Sequence, residues 1–119
     1  KKFAKRILWM DSNVVPGAFQ MNTAWYCAVP ERDPIFTEHS HPYSELIGFY
    51  GSDPNDMYNL NGEIIFSIDG EAHRLTKSTL IFLPGGVIHN PMRIMLVSKP
   101  IFHFSVVMNP DYDGEEVYK

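Results

Sequence analysis

Short apolar runs and clusters of turn-forming residues alternate along the whole chain, and few stretches are long enough for a helix. In residues 18–29, Phe19, Met21, Thr23 and Trp25 alternate with Gln20, Asn22 and Ala24, the period-2 pattern of a strand, and Pro30 ends it. Residues 37–41, 46–50, 63–68, 72–75, 79–83, 88–93, 94–97 and 101–107 read as further short strands set off by Gly, Pro, Asn and Asp. Pro42 stops the first of these, and Pro91 predicts a break inside residues 88–97. Asp69-Gly70 stands between two β-rich runs and predicts a hairpin, because both residues tolerate positive φ. Only the first ten residues carry any helical character. The spacing predicts an all-β class, either a sandwich or a barrel.

Composition narrows the picture. A chain of 119 residues with 45% apolar content is enough for one domain with a real core. Nine prolines and eight glycines argue against a helical bundle, since proline breaks helix interiors. The net charge of −4 gives no basic face for nucleic acid, and no apolar run approaches the roughly 20 residues of a membrane span. Cys27 is the single cysteine, so it forms no intramolecular disulfide or thiolate zinc site. It reads as a small buried apolar residue in a reducing, cytoplasmic setting. The basic residues 1–6 and the acidic tail 109–119 read as solvated ends.

The candidate chemistry lies in the histidines. His39 and His41 are two apart, so in an extended chain both rings share one face with Cα atoms roughly 6.6 Å apart. Two rings so placed can converge on one ion. In a straight strand Glu45 would lie about 20 Å from His39, so it joins them only if the chain turns at Pro42. Downstream, Pro84-Gly85-Gly86 predicts a chain reversal, and His89 enters the next strand three residues after Gly86.

These residues resemble the two motifs of the cupin family, G-x5-H-x-H-x3–4-E-x6-G and G-x5-P-x-G-x2-H-x3-N. His39-Ser40-His41-Pro42-Tyr43-Ser44-Glu45 matches the ligand part of the first, and Pro84-Gly85-Gly86-Val87-Ile88-His89 the centre of the second. The likeness runs from residue 37 to residue 103. Asp33 and Ser78 stand where leading glycines are expected, and Arg93 stands for the closing asparagine, with Asn90 close by. Gly62 is taken as the glycine closing the first motif (Gly51 is nearer), which implies an insertion of about ten residues at 50–60.

The resemblance implies a cupin-type double-stranded β-helix, a jelly-roll barrel, over residues 1–119. It implies one divalent metal ion (Fe, Mn, Ni, Co, Zn or Cu) held by His39, His41, Glu45 and His89. It also implies a homodimer and a small-molecule ligand or substrate. On that reading the protein is an enzyme using Lewis-acid or O2-dependent chemistry, or else a ligand-binding, sensing or assembly module without turnover. Glu45 is a ligand or a base. His103 reads first as a solvent-facing or hydrogen-bonded core histidine and, as a functional alternative, as a group contacting the ligand. Tyr43 is a rim aromatic whose hydroxyl could reach the pocket mouth. His73 and Arg93 read as surface residues, although Arg93 could pair with a carboxylate substrate. Trp9, Phe19 and Trp25 read as exposed aromatics suited to a dimer face.

Overall fold

The computed structural model describes residues 3–108. Among the described residues there are eight antiparallel strands: β1 (Ala4–Met10), β2 (Gln20–Tyr26), β3 (Glu45–Gly51), β4 (Asn59–Ile68), β5 (Glu71–Lys77), β6 (Thr79–Leu83), β7 (His89–Val97) and β8 (Ile101–Val107). They form a five-stranded sheet in the order β1-β2-β8-β3-β6 and a three-stranded sheet in the order β5-β4-β7. Two antiparallel sheets closing over a common interior are the jelly-roll arrangement that the motifs imply. No helix occurs among the described residues, so the helical character expected of the first ten residues is corrected. Residues 4–10 instead pair along β2 and form a sheet edge. The acidic tail, residues 109–119, lies outside the described residues.

The core sits between the sheets. Tyr26, Phe49 and Ile101 of the larger sheet meet Leu60, Ile64, Phe66, Met92 and Ile94 of the smaller one. The Phe49 and Phe66 rings stand 6.4 Å apart across the interior. Burying each such ring contributes about 2–3 kcal/mol, offset by lost conformational entropy. The Asp69-Gly70 hairpin forms as expected between β4 and β5, with φ of 50° and 79° at the two turn residues.

Two strand expectations need correction. Residues 37–41 are not a strand; they are extended chain tied down by isolated bridges, Phe36 to Met92 and His39 to His89. Pro91 does not break the chain into two strands. The β4–β7 register passes from Phe66–Met92 to Ile68–His89, so β7 carries one extra residue there. Asn90 takes a φ of 69° in this bulge, which absorbs a residue that cannot donate to the ladder.

Departures from the family motif have structural roles of their own. Ser78 fastens the inserted loop: its hydroxyl accepts from Gly51 N–H at 2.9 Å and donates to the Met57 carbonyl at 2.7 Å, and its N–H donates to the Tyr58 carbonyl. Asp33 and Arg93, two further departures, lie 3.8 Å apart at the surface. Cys27 is only half-buried, which corrects the expectation of a buried residue; the strand that would hide it has ended at Tyr26. His73 is exposed beside Glu71. Trp9 and Phe19 are exposed, whereas Trp25 is half-buried against Phe102, with ring centroids 5.3 Å apart.

Candidate metal centre

His39 and His89 come from opposite ends of the motif region, and backbone pairing brings them together. Each donates its N–H to the other's carbonyl, at 3.0 and 2.9 Å, so the two residues form a rung across the barrel mouth. Their ring centroids are 4.5 Å apart, and the His41 ring lies 5.9 Å from His39 and 5.2 Å from His89. One ligand nitrogen from each of the three lies within 4.8 Å of the others, a span that can hold a metal ion.

The turns that carry these residues lock against each other. Gly86 N–H donates to the His41 carbonyl at 2.7 Å, and Gly86 takes a φ of 88°. At Gly85 the backbone touches the Pro42 carbonyl so closely that a Cβ would overlap it. Glycine is required there by close approach of one motif to the other. The chain then turns over residues 42–44, and β3 begins at Glu45, which returns the carboxylate to the histidines.

Ring orientation favours metal binding. The Nδ1 of His39 donates to the Thr37 carbonyl (3.1 Å), that of His41 to the Tyr43 carbonyl (2.8 Å) and that of His89 to the Val87 carbonyl (2.9 Å). In His39 and His89 this leaves Nε2 as the lone-pair nitrogen that a metal requires, while the His41 Nε2 is hydrogen-bonded to Glu45 Oε1 at 3.0 Å. The His89 Nε2 is buried with no hydrogen-bond partner. Leaving such an atom unpaired costs about 1–3 kcal/mol, and a cation removes that cost.

Glu45 lies between two of the rings. Its Oε1 is 3.0 Å from His41 Nε2 and 3.3 Å from His89 Nε2, the latter without hydrogen-bond alignment. Burial raises the Glu45 carboxyl, but contact with His89 and then His41 outweighs it, so its pKa sits below the ordinary value. Burial lowers His89, but Glu45 and the Val87 carbonyl outweigh it, and its pKa sits above the ordinary value. Both shifts favour the charged forms, because the carboxylate and the His89 imidazole face each other at 3.3 Å. Three imidazoles and a carboxylate suit a borderline divalent ion.

The other named residues lie apart from this group. Tyr43 contributes its backbone carbonyl to His41, while its side chain is exposed. His103 is buried in the core, its ring stacked between Tyr26 (5.0 Å) and Phe49 (4.9 Å), and its Nδ1 donates to the Gly48 carbonyl at 3.1 Å. Burial pushes its pKa down to about 4, so it is neutral at pH 7. Residues missed in the sequence lie on β2, where the buried positions are Gln20, Asn22, Ala24 and Tyr26, not the set led by Phe19 and Met21. The alternation was visible; which set faced inward was not.

No family model matches the chain, and no curated protein sequence matches it. Solved structures do. An RmlC-like cupin from Shewanella frigidimarina superposes with a TM-score of 0.53 at 16% identity, covering 93% of this chain and 81% of that one. The cupin domain of Cnp3 from Schizosaccharomyces pombe gives 0.55 at 10% identity, over 92% and 66%. Oxalate oxidase in complex with the substrate analogue glycolate gives 0.56 at 13% identity, over 92% of this chain and 52% of that one. The chain thus spans about half the length of that oxidase. At these identities the likeness is one of fold.

Proposed function

The chain has the cupin fold, and on that premise we propose that it is a metal-dependent cupin acting on a small organic substrate within the barrel. The observation that carries the proposal is the convergence of three Nε2 atoms, each oriented by a backbone carbonyl, with one of them buried and unpaired. His39, His41 and His89 would hold the ion, and Glu45 would complete the set. When bound, a divalent ion there would supply Lewis-acid polarisation of a carboxylate, carbonyl or phenolic oxygen, or O2-dependent chemistry if it is redox-active.

The chain's own residues divide the remaining work. The carbonyls of Thr37, Tyr43 and Val87 hold the three rings in place through Nδ1. The lowered pKa of Glu45 keeps it ionised near neutrality, which suits a ligand better than a resident general acid. Ile47, Phe66 and Leu83 are buried in the apolar core between the sheets.

Elemental analysis tests this directly. Protein purified without added metal, or reconstituted with Fe, Mn, Co, Ni or Zn, is expected to hold about one ion per chain. His89→Ala is expected to hold none. A native chain that stays empty after every reconstitution would overturn the proposal. Oxygen uptake with small carboxylic, phenolic and carbonyl compounds then separates oxidative from Lewis-acid chemistry.

A further inference from the structure

Beside the histidines, the inner face of the larger sheet carries a second chemical feature. The β3–β8–β2 register places Glu45 opposite Val107 and Val107 opposite Gln20. The next inward row is Ile47, Ser105 and Asn22. Gln20, Asn22 and Ser105 therefore share the face from which Glu45 reaches the histidines. With strands roughly 4.8 Å apart and about 3.4 Å per residue, the Asn22 Cα lies about 12 Å along the sheet from that of Glu45.

The first half of β2 departs from ordinary strand chemistry, although Ala24 and Tyr26 further along the same face are buried and apolar. Gln20 and Asn22 are buried, with 6% and 7% exposure, while the apolar Met21 and Trp25 occupy the outer face of the same strand. A half-buried strand ordinarily places its apolar side inward. The Asn22 Oδ1 is moreover buried with no hydrogen-bond partner. An unpaired amide oxygen in a folded interior is destabilising, and its simplest explanation is a partner that arrives with a ligand.

We propose that Asn22, with Gln20 and Ser105, forms the wall that reads the far end of the ligand, and that the ligand is a small carboxylate carrying a hydroxyl group several bonds from its carboxylate. This rests on the metal-centre reading, and of the oxygen donors named there it takes the carboxylate as the group at the histidines. The Asn22 Oδ1 accepts only, so the ligand must donate. All three wall side chains are neutral. A buried ammonium would need a countercharge that none of them provides, whereas a hydroxyl donates to Asn22 and exchanges hydrogen bonds with Gln20 or Ser105.

The experiment compares ω-hydroxy carboxylates of three to six carbons with their unsubstituted parents by calorimetric titration of Mn(II)-loaded protein, with metal content measured in every sample. At one chain length, the hydroxy acid is expected to bind about tenfold tighter than its parent. Asn22→Leu should abolish that preference and leave metal content unchanged. In metal-free protein, Asn22→Leu should also raise the unfolding midpoint, because it removes an unpaired polar atom, whereas loss of a structural amide would lower it. If Asn22→Leu does not fold, Asn22→Ala and Gln20→Leu carry the same titrations. A metal-loaded protein with no preference at any chain length, or a preference that survives in the Asn22 variants, would overturn the wall alone. A protein that takes up no metal would overturn the centre and the wall together.

Discussion

His103 makes folding stability depend on pH in a way that can be worked out from its surroundings. Its ring is wholly buried between Tyr26 and Phe49, and its pKa falls to about 4 from an ordinary value of 6.5. Burial is the largest cause; the Gly48 carbonyl and then the charge of Glu45 oppose it. The folded state therefore disfavours protonation, while the unfolded chain takes up a proton once pH falls below 6.5. The sign follows: the contribution of the neutral ring is complete above pH 6.5, declines as pH falls towards 4, and is flat below. Between pH 7 and pH 5 the loss attributable to His103 is about 2 kcal/mol, a large part of a marginal folding free energy. Urea unfolding of metal-free protein at the two pH values measures it, with His103→Gln as the control. That variant can still donate to the Gly48 carbonyl but does not titrate. Other groups titrate alike in both proteins, so the native chain should lose about 2 kcal/mol more than the variant. Parallel losses, within about 0.5 kcal/mol, would refute the argument that burial holds His103 neutral.

Three further outcomes follow from the same geometry. Gly85→Ala drives a Cβ into the Pro42 carbonyl, and should lower stability by roughly 1–3 kcal/mol and weaken metal binding. Thermal unfolding and metal titration would show this, and unchanged metal affinity would mean the two turns are not coupled. His89 has a raised pKa, so protons compete for its Nε2 from above pH 6.5 downwards; chelator competition should show affinity falling by up to about tenfold per pH unit for each proton displaced, and a flat profile would remove His89 from the ligand set. Ser78→Ala removes the hydroxyl that joins Gly51 to Met57, and should cost about 1 kcal/mol and speed hydrogen exchange at Gly51, whereas native exchange rates would show the loop is fastened elsewhere.

Local signals and long-range ones differ in how far they could be read. The Asp69-Gly70 hairpin was legible because a tight turn is decided by the φ preferences of two adjacent residues. The group His39, His41 and His89 was legible through motif spacing, since a fixed number of residues between two turns leaves few places for the side chains to go. Residues 4–10 were misread because a lone edge strand has weak local character and is made extended by its pairing with β2. Pro91 was misread because a bulge in β7 absorbs it, and a bulge is a property of two strands together.

What the chain determined by itself was the all-β class, the turns and the residue types available for metal binding, all of which follow from local backbone preference and side-chain chemistry. Tertiary structure alone decided which side of each strand faced the interior. In β2 the alternation left the inward face open, and the barrel placed Gln20, Asn22, Ala24 and Tyr26 inside and Met21 and Trp25 outside. Alternation specifies two faces but does not say which is inward; register with β8 and β3 settles that, because a ladder aligns whole faces across strands distant in sequence. The same long-range pairing set His39 against His89, turning two separated motifs into one site.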